Sequence, residues 1–429
     1  GDGFDDIIIG APYGNAGGTD SGQAYVVYGG ADLANLDLGT LTSTQGIKIT
    51  GDKGGDLAGI SVSDAGDVNG DGIDDMLVGA RRGDDGGSNA GEGYIVYGGT
   101  SLVDVDLTNL TSAQGIVVIG HKSDDILGVS ASAAGDVNGD GFDDILLGAP
   151  FGDNGGSKAG EAYLIFGGDA LVDIDLQTLS PTSFMTIEGD RAGDNLGRSV
   201  SGAGDVNGDG FDDMIVGADL GNNGGTDAGE AYVIYGGASL VDIDLTNITA
   251  ADGYTIQGAA GDDEAGNSVS AAGDVNGDGF DDLIVGAPRN DDAGSNAGAA
   301  YVIFGGATPG DIDLSAIPSG AGITILGRAA GDLAGFSVSG AGDINGDGLD
   351  DLIIGANESN ADGTESGEAY VLYGKTDLAD IDLANIDASD GFFIQGDVAG
   401  DNAGHSVSGA GDLNGDGKAD LVWRETSTG

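Results

Sequence analysis

The sequence contains no cysteine, few basic residues and no long apolar segment. Without cysteine the chain can form neither a disulfide nor a thiolate metal site, so loop-rich structure has to be stabilised in another way. Lys and Arg number 13 against 73 Asp and Glu, a formal net charge of −60 that repels nucleic-acid phosphates. No apolar run approaches the roughly 20 residues of a membrane-spanning helix. We therefore expect neither nucleic acid as a partner nor a membrane span.

The chain nevertheless has enough apolar residues to build a core. Hydrophobic residues make up 39% of its 429 residues, more than a solvated acidic tail contains. Its carboxylates then either cover the surface, as in proteins adapted to saline or extracellular media, or gather at cation sites. Their positions in the sequence decide between these two arrangements.

One phrase, Gly-Asp-Val-Asn-Gly-Asp-Gly, recurs through the chain at a fixed interval. Its first Asp recurs every 69 residues, at Asp67, Asp136, Asp205 and Asp274, and in close variants at Asp343 and Asp412. A constant period of this kind is typical of solenoids and propellers. Gly1 to Asp6 matches the second half of the phrase, so the sequence starts inside a repeat and is expected to be a fragment.

Each repeat has the pattern of four short strands separated by clusters of Gly, Asp and Asn. In one repeat the strands are predicted at Leu127 to Ala134, Asp144 to Gly148, Ala162 to Phe166 and Met185 to Glu188. The alternating segment Asp173 to Leu176 is predicted as an extra edge strand. A four-stranded sheet this short cannot bury both faces alone, so the sheets must stack on one another.

Radial stacking of such sheets gives a propeller, and no segment has the helical periodicity of an αβ solenoid. We therefore predict an all-β fold, a β-propeller of four-stranded blades with 69-residue repeats. Residues 1–429 are expected to form this single domain, and residues 424–429 to begin a linker or a following region. Six repeats would close a six-bladed ring, whereas the seven second-type strands, the last at Asp420 to Trp423, favour seven blades.

The repeated phrase has the oxygen pattern of a calcium loop. In the copy from Asp136 to Asp144, side-chain oxygens stand at positions 1, 3, 5 and 9, and Gly at position 6 allows a sharp bend. Several hard oxygens in a tight loop suit Ca²⁺ better than Mg²⁺, which prefers a rigid octahedron with retained waters. A solvated Asp/Asn/Gly turn is the alternative. Six copies in register favour the metal, because the carboxylates would repel one another without a cation.

The predicted ligands occupy the same five positions in each complete loop, with position 7 contributing its backbone carbonyl. They are Asp67, Asn69, Asp71, Ile73 and Asp75; Asp136, Asn138, Asp140, Phe142 and Asp144; Asp205, Asn207, Asp209, Phe211 and Asp213; Asp274, Asn276, Asp278, Phe280 and Asp282; Asp343, Asn345, Asp347, Leu349 and Asp351; and Asp412, Asn414, Asp416, Lys418 and Asp420. About one Ca²⁺ per complete loop is expected. Its role is structural, because position 9 opens the second strand and the ion would join two strands.

Two further features recur or stand out. An acidic position precedes the first strand of every repeat, and its residues either cap a turn, the role we favour, or form a second ion site: Asp56, Asp125, Asp194, Asp263, Asp332 and Asp401. Paired aromatic residues in the third strand, such as Tyr163 and Phe166, are predicted to form core between repeats. The two histidines, His121 and His405, hold non-equivalent positions and are interpreted as surface residues.

These motifs resemble the FG-GAP repeat, the blade unit of the integrin α-chain N-terminal β-propeller and of many bacterial surface proteins. The resemblance covers essentially the whole chain and rests on the acidic loop, the Gly148-Ala149-Pro150 turn and the Gly160-Glu161-Ala162-Tyr163 strand. The chain departs from the pattern where Pro is missing after Gly79-Ala80 and where Leu127-Gly128 replaces Phe-Gly. The resemblance implies Ca²⁺ in the loops, seven blades, and a role in adhesion or ligand recognition.

We therefore predict a calcium-stabilised adhesion or scaffold module that binds a protein or glycan surface ligand of unknown identity and does not catalyse a reaction. No cysteine or local Ser-His-Asp arrangement supplies a nucleophile. The alternatives are a carbohydrate-binding propeller and an accessory domain of a secreted enzyme. The expected location is extracellular or on a cell surface, in a bacterium, and self-association is a further expectation to be tested.

Overall fold

The computed structural model describes residues 3–31, 35–178, 182–360 and 363–422, whose regular structure is β-strand with a few short 3₁₀ turns. We number the strands of each repeat 1 to 4 in chain order. Strand 1 is Ser61–Gly66, Ser130–Gly135, Ser199–Gly204, Ser268–Gly273 and Ser337–Gly342. Strand 2 is Ile7–Ala11, Asp75–Ala80, Asp144–Ala149, Asp213–Ala218, Asp282–Ala287 and Asp351–Ala356.

The remaining elements follow the same period. Strand 3 is Gln23–Val27, Glu92–Val96, Glu161–Ile165, Glu230–Ile234, Ala299–Ile303 and Glu368–Leu372. Strand 4 is Gly46–Thr50, Gly115–Ile119, Phe184–Glu188, Gly253–Gln257, Gly322–Leu326 and Gly391–Gln395. The edge strands are Val105–Asp106, Ile174–Asp175, Ile243–Asp244, Ile312–Asp313 and Ile381–Asp382. The 3₁₀ turns are Leu38–Thr40, Leu107–Asn109, Leu245–Asn247 and Leu314–Ala316.

The strands of the described chain form six sheets, four with five strands and two with four. Strands 1 to 4 of a repeat are antiparallel neighbours, as predicted. The predicted edge strand is also present, but it pairs in parallel with strand 4 of the preceding repeat: Ile174 lies opposite Val118. Each edge strand therefore links two consecutive repeats. The all-β fold and the 69-residue repeat are confirmed.

The ends of some strands differ from the prediction. Strand 1 starts at Ser130 rather than Leu127, because Ile126 and Gly128 have positive φ angles of 56° and 78° that an extended strand does not allow. The Gly128 N–H donates to the Gly148 carbonyl at 2.9 Å, which fixes this turn against strand 2. Asp420 to Val422 is not a strand, and Trp423 and the predicted linker at 424–429 lie outside the described residues.

Strands 2 and 3 carry much of the core, because every residue of their five later copies is buried. The first aromatic residue of the strand 3 pair is buried in these repeats too, as at Tyr94, Tyr163 and Tyr301, with an exposed fraction of at most 3%. Tyr163 belongs to the cluster that contains Leu77 and Ile116 of the preceding repeat. The prediction that these aromatics form core between repeats is confirmed for this first residue, whereas the second residue of the pair, such as Phe166, is half-buried.

The chain divides into two compact units. One consists of Gly1–Gly202, Gly236–Ile248 and Leu413–Gly415, and the other of Ala203–Tyr235, Thr249–Asp412 and Asp416–Gly429.

In each sheet the antiparallel order places the loops between strands 1 and 2 at one end and the loops between strands 2 and 3 at the other. The predicted calcium loops lie at the first end, which we call the 1–2 end, and the opposite end is the 2–3 end.

Among the described residues, no helix has both the length and the apolar character needed to cross a membrane.

Candidate functional site

The first Asp of each predicted calcium loop organises the backbone of that loop. The Asp67 carboxylate accepts the N–H groups of Gly70 at 2.8 Å, Asp71 at 3.0 Å and Gly72 at 2.8 Å. Equivalent bonds to the residues four and five positions on are made by Asp136, Asp205, Asp274, Asp343 and Asp412. All six loops therefore share one tight turn, wound around the first carboxylate.

The last predicted ligand, at position 9, is a buried carboxylate that opens strand 2. Asp75 is 1% exposed, lies within 3.0 Å of the Asn69 amide nitrogen, and accepts the Gly98 N–H at 2.7 Å at the end of strand 3. Burial, together with the neighbouring Asp71 and Asp67 carboxylates, raises the pKa of Asp75 to about 7, although the hydrogen bond from Gly98 opposes this shift. The loop thus holds several carboxylates close to a buried acid.

A similar environment is found at three other copies of position 9. Burial raises the pKa of Asp144 and of Asp282 to about 7, and it raises that of Asp351 as well. A divalent cation among these oxygens would remove the repulsion between the carboxylates, so the residues present fit Ca²⁺. The assignment of individual ligands, including the carbonyls of position 7, stays a prediction.

The sequence analysis missed the Asp at position 8 of these loops. Asp143 Oδ2 accepts the N–H of Asp67, the first residue of the preceding loop, at 2.7 Å. Asp281 and Asp350 do the same for Asp205 at 2.9 Å and Asp274 at 3.0 Å. The Asp-Asp pair at positions 8 and 9 was the available signal. Position 9 serves its own loop, whereas position 8 links consecutive loops.

The acidic residue before strand 1 has two different roles in different repeats. At Asp263 and Asp401 the carboxylate caps its turn, accepting an N–H from Ala260 at 3.2 Å and from Val398 at 3.0 Å, as favoured from the sequence. Asp56 and Asp125 are also buried, 3% exposed each, but one carboxylate oxygen of each has no hydrogen-bond partner in the described structure. These two positions therefore need a further partner.

Those two residues lie in buried acidic clusters at the 2–3 end. The ligand atoms of Asp52, Asp56 and Glu92 all lie within 4.8 Å of one another, and so do those of His121, Asp125 and Glu161. Burial and the nearby glutamate raise the pKa of both Asp56 and Asp125 to about 7. Such clusters are consistent with cation sites.

His121 is part of one such cluster, so its interpretation as a surface residue is wrong. The side chain is half-buried, and its Nδ1 atom is buried without a hydrogen-bond partner in the described structure. Burial and the adjacent Lys122 lower the pKa of His121, although the Glu161 and Asp175 carboxylates oppose this shift. A neutral imidazole has a free lone pair on one of its nitrogens.

A cavity of about 970 Å³ opens at the 2–3 end of the first unit. Four of the chain's 13 basic residues line it: Arg81, Arg82, Lys158 and Arg198. The Lys158 ammonium lies 4.5 Å from the centre of the Phe151 ring, which also lines the cavity. Three aspartates, Asp124, Asp125 and Asp153, line it as well, so basic groups exceed acidic ones by one (4 − 3) at this place in a chain whose net charge is −60. The sequence did not reveal it, because these residues lie on separate loops of consecutive repeats.

A family model for the FG-GAP repeat matches more than half of the chain. The matched residues are 1–27, 60–96, 128–165, 196–234, 265–303, 334–372 and 403–429. The five matches from 60–96 to 334–372 each run from about strand 1 to the end of strand 3, and so contain one acidic loop together with the strands that it joins.

Curated relatives include integrins and a phospholipase. Integrin alpha-PS2 of Drosophila melanogaster is 29% identical over 244 residues, 56% of this chain and 16% of that protein. Integrin alpha pat-2 of Caenorhabditis elegans is 32% identical over 246 residues, 56% of this chain and 18% of that protein. Phosphatidylinositol-glycan-specific phospholipase D of Homo sapiens is 28% identical over 400 residues, 89% of this chain and 45% of that protein. The chain spans less than half the length of each, and these animal relatives do not support the expected bacterial origin.

Proposed function

Since the chain belongs to the FG-GAP repeat family, we propose that it is a calcium-stabilised, extracellular propeller module that binds an acidic group on a protein or glycan and catalyses no reaction. The basic cavity at the 2–3 end is the observation that carries this proposal. In this arrangement the calcium loops stabilise the repeats at one end of the sheets, and the opposite end is used for recognition.

Contacts between repeats support closure of the propeller with seven blades. The Gly168 N–H donates to the carbonyl of Val68, which lies in the loop of the preceding repeat, at 2.8 Å. The Gly30 N–H donates to the carbonyl of Leu413 at the same distance of 2.8 Å. By the 69-residue period Leu413 is equivalent to Val68 and Gly30 to Gly168, so the second bond corresponds to the one between consecutive repeats. Seven repeats in a ring produce that correspondence.

The cavity suits an anionic ligand for electrostatic reasons. The overall charge of −60 repels anions, so binding requires a local field of the opposite sign. Arg82, Lys158 and Arg198 are exposed, and arginine in particular forms bidentate hydrogen bonds with carboxylates, sulfates and phosphates. Phe151 adds an apolar surface beside these charges. A sugar acid or an acidic side chain presents the required combination of an anionic group and an apolar face.

Removal of the positive charge is expected to abolish this recognition. On arrays of acidic peptides and of neutral and acidic glycans, the wild type should bind members that carry an anionic group, more weakly at high salt. The triple variant Arg82→Ala, Lys158→Ala, Arg198→Ala should bind the same members at least about tenfold more weakly, with an unchanged melting temperature.

Arg289→Ala provides a matched control. Arg289 follows strand 2 at the position equivalent to Arg82, but it is paired with Glu264 at 2.9 Å and lies outside the cavity. This variant should bind like the wild type. Equal binding by the triple variant and the wild type would contradict the proposed site, and binding of neutral glycans alone would favour a lectin-like role.

A second candidate function is supported by the phospholipase relative. The alignment with the human phosphatidylinositol-glycan-specific phospholipase D spans 89% of this chain but 45% of that enzyme. Non-catalytic recognition by this module, as an accessory region of an enzyme, is compatible with that coverage. Hydrolysis of phosphatidylinositol-glycan substrates by the isolated chain would overturn the non-catalytic proposal.

A further inference from the structure

We propose that the chain holds a second class of cation site, separate from the calcium loops, in which His121, Asp125 and Glu161 bind a divalent transition-metal ion such as Zn²⁺. The three residues come from two elements at the 2–3 end: the turn before strand 1 supplies His121 and Asp125, and the first residue of strand 3 is Glu161. Their ligand atoms lie within 4.8 Å of one another.

The buried polar atoms of this cluster point to a missing ligand. Asp125 is 97% buried, and both its Oδ2 atom and the His121 Nδ1 atom have no hydrogen-bond partner in the described residues. Glu161 is completely buried, and its two oxygens accept the Asn154 N–H at 2.8 Å and the Tyr163 hydroxyl. An unpartnered buried carboxylate oxygen is costly, so a group that satisfies it stabilises the fold.

The repeat that contains Asp263 lacks this glutamate and satisfies its buried acid in another way. Ala299 stands where Glu161 stands, and Asn290 occupies the equivalent of Gly152. The Asn290 amide donates to Asp263 Oδ2 at 3.0 Å and so satisfies the buried carboxylate. In the repeat with Glu161 the space is already taken, because a Cβ atom on Gly152 would lie 2.5 Å from the Glu161 carboxyl carbon. The chain thus replaces the glutamate with an amide donor.

In the repeat that contains Asp332, a side chain of the protein itself supplies a cation at the position equivalent to His121. Arg328 is equivalent to His121, and its guanidinium donates to Glu368 Oε1 at 2.8 Å. Burial and Glu368 raise the pKa of the neighbouring Asp332 to about 6, and this arginine opposes that shift. A positive charge beside these two carboxylates is therefore part of the fold in that repeat. In the repeat of His121 the same place holds an imidazole whose buried Nδ1 atom has no hydrogen-bond partner in the described residues.

Lys122, the residue after His121, does not supply a positive charge to the cluster of His121, Asp125 and Glu161. The Lys122 side chain is exposed, and its ammonium group donates to Asn154 at 2.6 Å. In the related cluster of the preceding repeat, Lys53 pairs with Asp52 at 3.5 Å and with Asp85, so one carboxylate there already has a partner. The cluster of His121 is therefore the stronger candidate.

The donor set decides the class of metal. One imidazole nitrogen and two carboxylates, with an open position for water, suit Zn²⁺, Co²⁺ or Mn²⁺, whereas Ca²⁺ prefers oxygen ligands alone. The cluster of Asp52, Asp56 and Glu92 offers only oxygens and suits a harder cation. The His121 site should therefore be detectable while the calcium loops are saturated.

The test is a titration of the whole chain with Zn²⁺ by calorimetry, and with Co²⁺ by visible absorption, in excess Ca²⁺. The wild type should bind about one ion tightly, with a cobalt spectrum that indicates nitrogen and oxygen ligands. His121→Ala and Glu161→Gln should each weaken this binding at least about tenfold. Asp125→Asn should also lose the ion yet fold at least as stably as the metal-free wild type, because the buried unpartnered charge is gone.

Two control variants separate this site from adventitious binding. His405→Ala removes the other histidine, and Asp263→Asn changes the equivalent acid that Asn290 already satisfies, so both should keep the transition-metal site. No ion bound in excess Ca²⁺, or equal binding by the wild type and the His121→Ala and Asp125→Asn variants, would overturn the proposal. The loops are tested separately by their calcium content, which these variants should leave unchanged.

Discussion

Chelation of calcium is expected to lower the melting temperature by on the order of 10 °C or more. Five of the six loops gather carboxylates around a buried position-9 acid, so a bound cation removes a repulsion between carboxylates that is present in the calcium-free fold. An ion that binds only the folded state contributes about 2.7 kcal/mol per site when its free concentration is 100 times the dissociation constant. Six loops acting together make the effect large.

Calorimetric melts in excess Ca²⁺ and in excess chelator measure this difference. Addition of Ca²⁺ after chelation should restore the original melting temperature, whereas Mg²⁺ at the same concentration should restore little of it, because the flexible all-oxygen loop suits the larger ion. Identical melts with and without chelator would contradict a stabilising role for the loops.

In the calcium-free protein, stability is expected to fall as the pH rises from about 5.5 to 8. The pKa values of Asp75, Asp144 and Asp282 are about 7 in the folded chain, above the ordinary value of about 3.9. The folded state therefore binds these protons more tightly than the unfolded state does. Their stabilising effect is complete below about pH 4 and is lost as the pH rises through about 7, by on the order of 2 kcal/mol per group between pH 5.5 and 8.

Urea denaturation across this pH range, with and without Ca²⁺, measures the effect. Calcium binds the ionised carboxylates, so in its presence the trend should flatten or reverse. The triple variant Asp75→Asn, Asp144→Asn, Asp282→Asn should lose a large part of the pH dependence in the absence of calcium, and Asp56 and Asp125, whose pKa is also about 7, should account for part of the remainder. A calcium-free wild type that becomes more stable towards pH 8 would show that these acids do not govern its stability.

The periodic features of the fold could be predicted from the sequence, because each depends on neighbouring residues. Apolar runs such as Ile145 to Leu147 predicted strand 2, and the Asp-rich phrase predicted the tight loop before it. The partner of the edge strand could not be predicted in the same way. Ile174 pairs with Val118 of the preceding repeat, a contact over 56 residues that no local pattern encodes.

The sites at the 2–3 end could not be predicted from local sequence either. Asp125 looks like Asp263 in sequence, yet one lacks a partner for a carboxylate oxygen and the other is satisfied by Asn290. The difference depends on Glu161 and Ala299, each 36 residues further along the chain, which strand 3 brings against the turn. His121 and the basic cavity likewise depend on loops that meet only in the folded chain. Net charge and composition are properties of the whole chain, so they could not show where these groups lie.

The most direct test of the calcium loops is the calcium content of the protein after dialysis against a trace of free Ca²⁺. The loops predict about six tightly bound ions per chain, one for each complete copy. The loop variant Asp136→Asn, Asp140→Asn should hold one ion fewer and remain folded. A wild-type content of one ion or none, or equal contents in the wild type and this variant, would contradict the claim that these loops bind calcium.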